Sequence, residues 1–297
     1  MPATRFLVIA ALLALFVLTA LSVAPAFDGG YTFDEQGGLA DNRAVHPGAS
    51  ALDALTYRYS PDQMRPLFFL SVWLDARAHG LEPRGFRITN LLLHLACGAI
   101  VFLLLKRLSG YGALAGTALF LMHPLQAESI IYIWGRSEVL ATLLGLAALL
   151  VLTPRQPATE ATGGPATSAR AGPLRWTAAW LLLALALAAK EEAILLPLIA
   201  WLFWRFGLDR PWRESTGRAA LFSVPALAFV IVRPLVLGAV GRQVFARSLG
   251  DNILAQAVVT LRMARLTLLP RGLSIDHAAV VPPLVRGLGA AALVVLL

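Results

Sequence analysis

Charge is what this sequence has least of. Only 14% of its 297 residues are Asp, Glu, Lys or Arg, where soluble domains carry roughly 25%. So few charges cannot cover an ordinary water-facing surface. Disorder is excluded by the rest of the composition. Hydrophobic types make up 58%, and disordered chains combine low hydrophobicity with high charge. Cysteine is nearly absent. Cys97 stands alone inside an apolar stretch, which excludes an internal disulfide framework or a Cys-rich metal site. A small buried apolar residue is its expected role. The five histidines show no zinc-ligand spacing. Lysine is scarce as well: of 25 basic residues, only Lys106 and Lys190 are lysine. The formal net charge of +8 would ordinarily suggest nucleic acid. Here the basic residues are scattered between apolar runs rather than gathered on one face, so no nucleic-acid partner is expected. What the sequence does have is long apolar runs and a mean hydropathy of +0.71. These predict an all-α polytopic membrane protein.

A membrane helix needs about 20 mainly apolar residues. The runs fall at 6–24, 88–105, 111–122, 139–152, 176–189, 193–204 and 219–238, with 253–269 and 284–297 as further candidates. Run 6–24 has Arg5 before it and small residues near Ala24-Pro25-Ala26 after it, as a signal peptide would. Its apolar core exceeds the usual 7–15 or so residues, which favours a retained anchor. The sequence stops inside the apolar run 284–297 with no polar tail. A fragment of a longer protein is the expectation.

Loop charge sets orientation. With the N-terminus inside, the inner segments hold ten basic residues, among them Arg5, Lys106, Arg107, Arg175 and Arg205, against three acids. The first outer loop, 28–87, holds eight acids and six basics. This places the N-terminus in the cytoplasm. Within that loop, 64–78 interleaves apolar residues with Asp75 and Arg77, as a helix lying in the membrane interface would. Residues 153–175 are rich in Pro, Ala, Thr and Gly and read as a flexible inner linker.

Ionisable groups at membrane depth are functional candidates by default. On this orientation they collect on the outer side. Asp34 and Glu35 follow the first run; His123, Glu128, Arg136 and Glu138 lie between the third and fourth; Lys190, Glu191 and Glu192 end the fifth. A carboxylate beside a span can serve as general base for a hydroxyl. Pro124 bars His123 from continuing a helix. Ser137 is a candidate helix cap, and Arg136 a candidate anion ligand at that helix start, because its planar fork suits phosphate. An Arg136 ion pair with Glu128 or Glu138 is the structural alternative. Lys190 is either part of a tight turn or a phosphate-facing ammonium. Arg233 lies mid-run beside Pro234 and needs a partner. His94 reads as a satisfied buried histidine. Asp276 and His277 follow Pro270 and are candidates to join the outer cluster.

These pieces occur in a telling order: Phe33-Asp34-Glu35; Arg65-Pro66-Leu67; Gly85-Phe86-Arg87-Ile88-Thr89-Asn90 through His94; His123-Pro124-Leu125-Gln126-Ala127-Glu128; Gly135-Arg136-Ser137-Glu138; Lys190-Glu191 with Leu196-Pro197; Arg233 to Gly238; and Leu268 through Pro270 to Asp276. In that order they resemble the membrane part of the TMTC-type transmembrane and tetratricopeptide-repeat O-mannosyltransferases and their bacterial relatives. The resemblance implies a GT-C-type transmembrane helix bundle whose long first periplasmic loop carries interfacial helices, in the bacterial inner membrane. It implies a polyprenyl-phosphate sugar as donor, transfer on the periplasmic side, and an acid of the first outer loop as base. Asp34 matches that acid, and Glu35 stands where many members have a second Asp. The tetratricopeptide repeats usual in the family are not in this sequence, which leaves the acceptor, a protein or a glycan, open.

The expected reaction is a single displacement with inversion. Asp34 takes the acceptor proton, and Arg136 and Lys190 stabilise the departing lipid phosphate. Arg65, His123, Glu128, Glu138, Glu191 and Asp276 are expected to support the site. A divalent cation could share the phosphate charge, but the sequence requires no metal. The rival readings are a GT-C transferase with a lipid or glycan acceptor, a transporter, and a non-catalytic membrane scaffold.

Overall fold

A computed structural model describes residues 2–46, 48–60, 63–108, 112–153, 171–237 and 249–272. The chain divides into two units, Met1–Val240 and Gly241–Leu297. Asp276 and the last apolar run lie outside the described residues, as does most of the linker.

Among the described residues, the first unit consists of helices, their connecting turns and one hairpin. Helices α1 (Pro2–Val23), α4 (Pro83–Leu105), α5 (Gly112–Met122), α7 (Arg136–Leu152), α8 (Pro173–Ala189) and α9 (Leu196–Leu202) follow the predicted apolar runs. Run 219–238 becomes α10 (Trp212–Phe222) followed by α11 (Val224–Leu237). Among the described residues, four stretches are long and apolar enough to cross a membrane: Thr4–Ala26, Pro83–Leu105, Ile133–Leu152 and Trp212–Leu237. The protein is an all-α membrane protein. In the second unit, helix α12 (Leu249–Leu268) is described.

Small residues let the central helices approach closely, the usual packing device in a bilayer. Ala141 and Ala148 of α7, Ala179 and Ala186 of α8, and Ala200 of α9 are buried in one core. A Cβ on Gly145 of α7 would meet the Leu196 side chain at 2.5 Å, so a larger residue there would displace that leucine.

The first outer loop builds a cap with its own core. It contains α2 (Ala51–Thr56), the hairpin of β1 (Arg58–Ser60) with β2 (Gln63–Met64), and α3 (Pro66–His79). Ser50 caps α2: it accepts from the Asp53 N–H while Asp53 accepts from the Ser50 N–H, a reciprocal box. Helix α3 occupies the predicted interfacial segment. Its residues Phe68, Phe69, Val72 and Ala76, however, are buried against Leu39, Phe86 and Trp134. A rigid aromatic core beneath the loop takes the apolar surface that the sequence reading assigned to lipid.

Candidate active site

The site begins with a turn after α1. Phe33 has φ +50°, a conformation that a bulky residue adopts only when its surroundings impose it. The constraint is Glu35. Its carboxylate is fully buried and accepts the Thr32 N–H at 2.8 Å, the Thr32 hydroxyl at 3.1 Å and the Ile133 N–H at 2.5 Å. Arg87 stands 3.9 Å away. Anchoring Glu35 inward turns the neighbouring Asp34 outward, where it is exposed. The two acids expected to act together are thus separated: Glu35 is a buried anchor and does not face the cleft.

Arg87 holds the same turn from behind. Its guanidinium is buried and donates to the carbonyls of Gly30 at 2.6 Å, Ile131 at 3.0 Å, Ala26 and Phe27 at 3.3 Å each, and Gly29. One side chain of α4 therefore ties the exit of α1 to the end of α6 (Gln126–Ile131).

Asp34 opens into a cleft of about 250 Å³. The first loop supplies Tyr59, Gln63 and Arg65; α6 and the start of α7 supply Glu128, Tyr132, Trp134 and Glu138. The Tyr59 phenol donates a hydrogen bond to Asp34. Partial burial and then the Asp34 charge raise the Tyr59 pKa. Burial, followed by the charges of Asp34 and Glu35, pushes Tyr132 up to about 12. Both phenols stay protonated at neutral pH. Trp134 forms the back wall, stacked on Phe68 at 4.9 Å and tilted against Tyr59 at 4.7 Å. A Cβ on Gly38 would come within 2.2 Å of that indole. Gly135 is equally constrained, because its Cβ would lie 2.9 Å from the Ser129 Cα.

The cations at the cleft are held by acids. Arg65 Nε binds Glu191 at 3.1 Å, and Arg233 approaches the other oxygen of Glu191 at 3.5 Å. Burial works to raise the Glu191 carboxyl, but the Arg65 hydrogen bond and the two arginine charges outweigh it, and its pKa is lowered. Lys190 pairs with Glu138 and lies 3.7 Å from Glu192. Arg65, Glu128, Glu138, Lys190 and Glu191 therefore gather at the Asp34 cleft or against its walls.

Arg136 departs from its expected role. It is fully buried, pairs with Asp75 at 2.7 Å, and donates to Asn90 at 2.7 Å, the Phe86 carbonyl at 2.8 Å and the Ser71 carbonyl at 3.3 Å. It does not line the cleft; it cross-links α3, α4 and α7. Its partner is thus Asp75 and neither Glu128 nor Glu138. Ser137 does not cap α7 either: its hydroxyl donates to the Trp134 carbonyl at 3.0 Å, because the 3-10 turn Ile133–Gly135 runs straight into the helix. His123 sits at the break after α5, where its Nδ1 accepts the Leu125 N–H at 3.3 Å, and it does not line the cleft. Among the described residues, no three His, Cys, Asp or Glu side chains gather to hold a metal.

No family model matches the chain, and no solved structure does. Curated proteins do match. Human Protein O-mannosyl-transferase TMTC3 is 25% identical over 221 residues, covering 70% of this chain and 23% of the human protein. A Caenorhabditis elegans protein O-mannosyl-transferase is 26% identical over 154 residues, 46% of this chain and 22% of the relative. Xenopus laevis Protein O-mannosyl-transferase tmtc2 is 37% identical over 98 residues, 32% and 12% of the two chains. The chain is a sequence relative of the TMTC-type proteins. It spans less than a quarter of the length of these TMTC-type relatives.

Sequence reasoning missed several residues of this cleft. Tyr59, Gln63 and Tyr132 line the cleft but lie on a hairpin and a turn, where hydrophobic period gives no signal. Arg87 and Asn90 were visible as polar residues in the apolar stretch 83–105. Asn90 accepts from Arg136 and donates to the Ile130 carbonyl at 3.3 Å. Their presence at span depth was the available clue.

Proposed function

We propose that this protein transfers a mannose-like sugar from a polyprenyl-phosphate carrier to a Ser or Thr hydroxyl of a protein acceptor. Asp34 is the general base. It removes the hydroxyl proton as the acceptor oxygen attacks the anomeric carbon. The bond from that carbon to the lipid phosphate breaks, and the phosphate leaves with the electron pair. One displacement inverts the anomeric centre, as in the analogous geometry of inverting glycosidases.

The observation that carries this reading is the exposure of Asp34 in a cleft beside Arg65, in a chain similar to protein O-mannosyl-transferases. Arg65 joins Lys190 in the phosphate role in place of Arg136, whose donors are engaged inside the protein. Each holds a carboxylate, Glu191 and Glu138 respectively, and exchanges it for phosphate when donor enters. Charge-assisted donors in such a pocket stabilise a developing anion strongly. Tyr59 orients the Asp34 carboxylate. The cleft faces the periplasm in this reading, with the lipid tail between helices.

The test is transfer in vitro from a panel of polyprenyl-phosphate sugars to protein and glycan acceptors, with product masses measured. Wild type is compared with Asp34→Asn. Transfer is expected with wild type only. Undiminished transfer by a folded Asp34→Asn protein refutes the assignment.

A further inference from the structure

At the end of the bundle away from the cleft, a group of aromatic rings meets a group of arginines. The Trp201 and Trp212 rings lie 5.2 Å apart, and Phe206 packs edge-on against them at 5.9 and 6.3 Å. These rings are not hidden in a core: Phe206 is 62% exposed and Trp212 56%. The Arg205 guanidinium lies over both, 5.2 Å from Phe206 and 5.3 Å from Trp212. Its Nη1 reaches Asp209 at 2.8 Å, a carboxylate 93% exposed, while its Nε is buried with no hydrogen-bond partner. Arg213, exposed, follows Trp212 directly. Arg210 and Arg218 share Glu214 at 2.5 and 3.0 Å. Four arginines thus face two acids.

Position identifies what such a corner meets. Trp212 is the first residue of the apolar stretch Trp212–Leu237, long enough to cross a membrane. Exposed rings at the mouth of a span lie at headgroup depth, where Trp is favoured. A zwitterionic surface would satisfy the rings. It would leave the surplus positive charge unanswered, whereas an anionic headgroup answers it.

We propose that the Trp201–Phe206–Trp212 corner, with Arg205 and Arg213, is a seat for the phosphate headgroup of an anionic phospholipid. The exposed Arg213 guanidinium donates to the phosphate, Arg205 adds its charge over the rings, and the rings flank the glycerol and upper acyl carbons. The seat is independent of the transfer chemistry and lies outside its cleft.

The test is lipid competition on the full chain in nanodiscs of phosphatidylcholine, alone or mixed with phosphatidylglycerol. Lipid retained after mild detergent extraction is measured by native mass spectrometry. Wild type should retain phosphatidylglycerol over phosphatidylcholine, and each of Arg205→Gln and Arg213→Gln should lower that preference about fivefold. Arg84→Gln, an exposed arginine of the cap, should leave the preference unchanged. Equal retention of the two lipids by wild type overturns the proposal without any variant. So does an equal loss of preference in Arg84→Gln, which would make the effect one of net charge. Displacement of bound phosphatidylglycerol by inorganic phosphate at matched concentration would overturn the lipid assignment.

Discussion

Asp34 and Glu35 are adjacent, chemically alike and differently placed, so substituting each in turn separates stability from activity. Glu35→Gln keeps the side-chain shape but replaces one carboxylate oxygen with an NH2 group. That group must point at the Ile133 N–H or at the Thr32 N–H and hydroxyl, which now donate to oxygens at 2.5, 2.8 and 3.1 Å. A donor then faces a donor inside the protein. Hydrogen bonds to a charged group contribute about 1.5–3 kcal/mol each, and a buried donor left unsatisfied costs about 1–3 kcal/mol. Arg87, 3.9 Å away, keeps its carbonyl partners and limits the damage. The net expectation is a loss of about 3 kcal/mol, or a Tm lower by roughly 5 °C for a protein of this size.

Asp34→Asn carries no such penalty, because exposed substitutions stay within about 0.5 kcal/mol. Thermal unfolding in detergent, followed by intrinsic fluorescence, measures both proteins. Sugar transfer well below the transition measures activity. Glu35→Gln should be thermally labile yet retain transfer at low temperature; Asp34→Asn should be stable and inactive. If Glu35→Gln is as stable as wild type but loses transfer, the buried-anchor argument is wrong and both acids belong to the chemistry.

Three further outcomes follow from the same geometry. Tyr59→Phe keeps the ring against Trp134 but removes the hydroxyl beside Asp34; transfer should fall roughly fivefold, the loss of one hydrogen bond of about 1 kcal/mol, with Tm unchanged, and undiminished transfer would show that Tyr59 serves packing alone. Gly38→Ala forces a methyl into the Trp134 ring, which Phe68 and Tyr59 already confine; overpacking should cost about 1–3 kcal/mol and shift indole emission, and a neutral effect in both readouts would mean the wall yields freely. Because the folded Glu191 pKa is lowered, its knot with Arg65 and Arg233 adds stability that is present at neutral pH and lost as pH falls through the lowered value; Glu191→Gln should flatten the acid side of the Tm–pH curve, and an unchanged slope would count against the knot.

The apolar helices could be read from sequence because a bilayer leaves a chain few choices. Backbone groups must be satisfied within each helix, and the required length is fixed by thickness. Runs 88–105 and 139–152 accordingly match α4 and α7 to within a few residues. Two regular details escaped that logic. Run 193–204 is not one plain helix: a 3-10 turn over Glu191–Leu195 precedes α9, and a π turn over Phe203–Gly207 follows it. Segment 64–78 has the composition of an interfacial helix, yet α3 is buried in the cap. The same apolar side chains serve either purpose, and only tertiary contact with Leu39, Phe86 and Trp134 decides between them.

The polar residues show where sequence reasoning fails for a physical reason. Residue type and depth mark Asp34, Glu35, Arg136 and Lys190 equally, but a charge at membrane depth can bind a substrate or hold helices together. The choice depends on whether its hydrogen-bonding atoms are already engaged. Arg136 has four internal acceptors and no exposure. Breaking a buried pair by removing one partner costs about 3–5 kcal/mol, so Arg136 cannot be released to a phosphate without destabilising the helices it joins. Arg65 has one acid partner, Glu191, at 3.1 Å, with the side chain 19% exposed and lining the cleft. Exchanging one partly solvated carboxylate for a phosphate leaves the rest of the protein intact. By that criterion, the cations suited to a transient anion are those with few partners near water, and the fully satisfied arginines, Arg87 and Arg136, form the frame that holds Asp34 in the cleft.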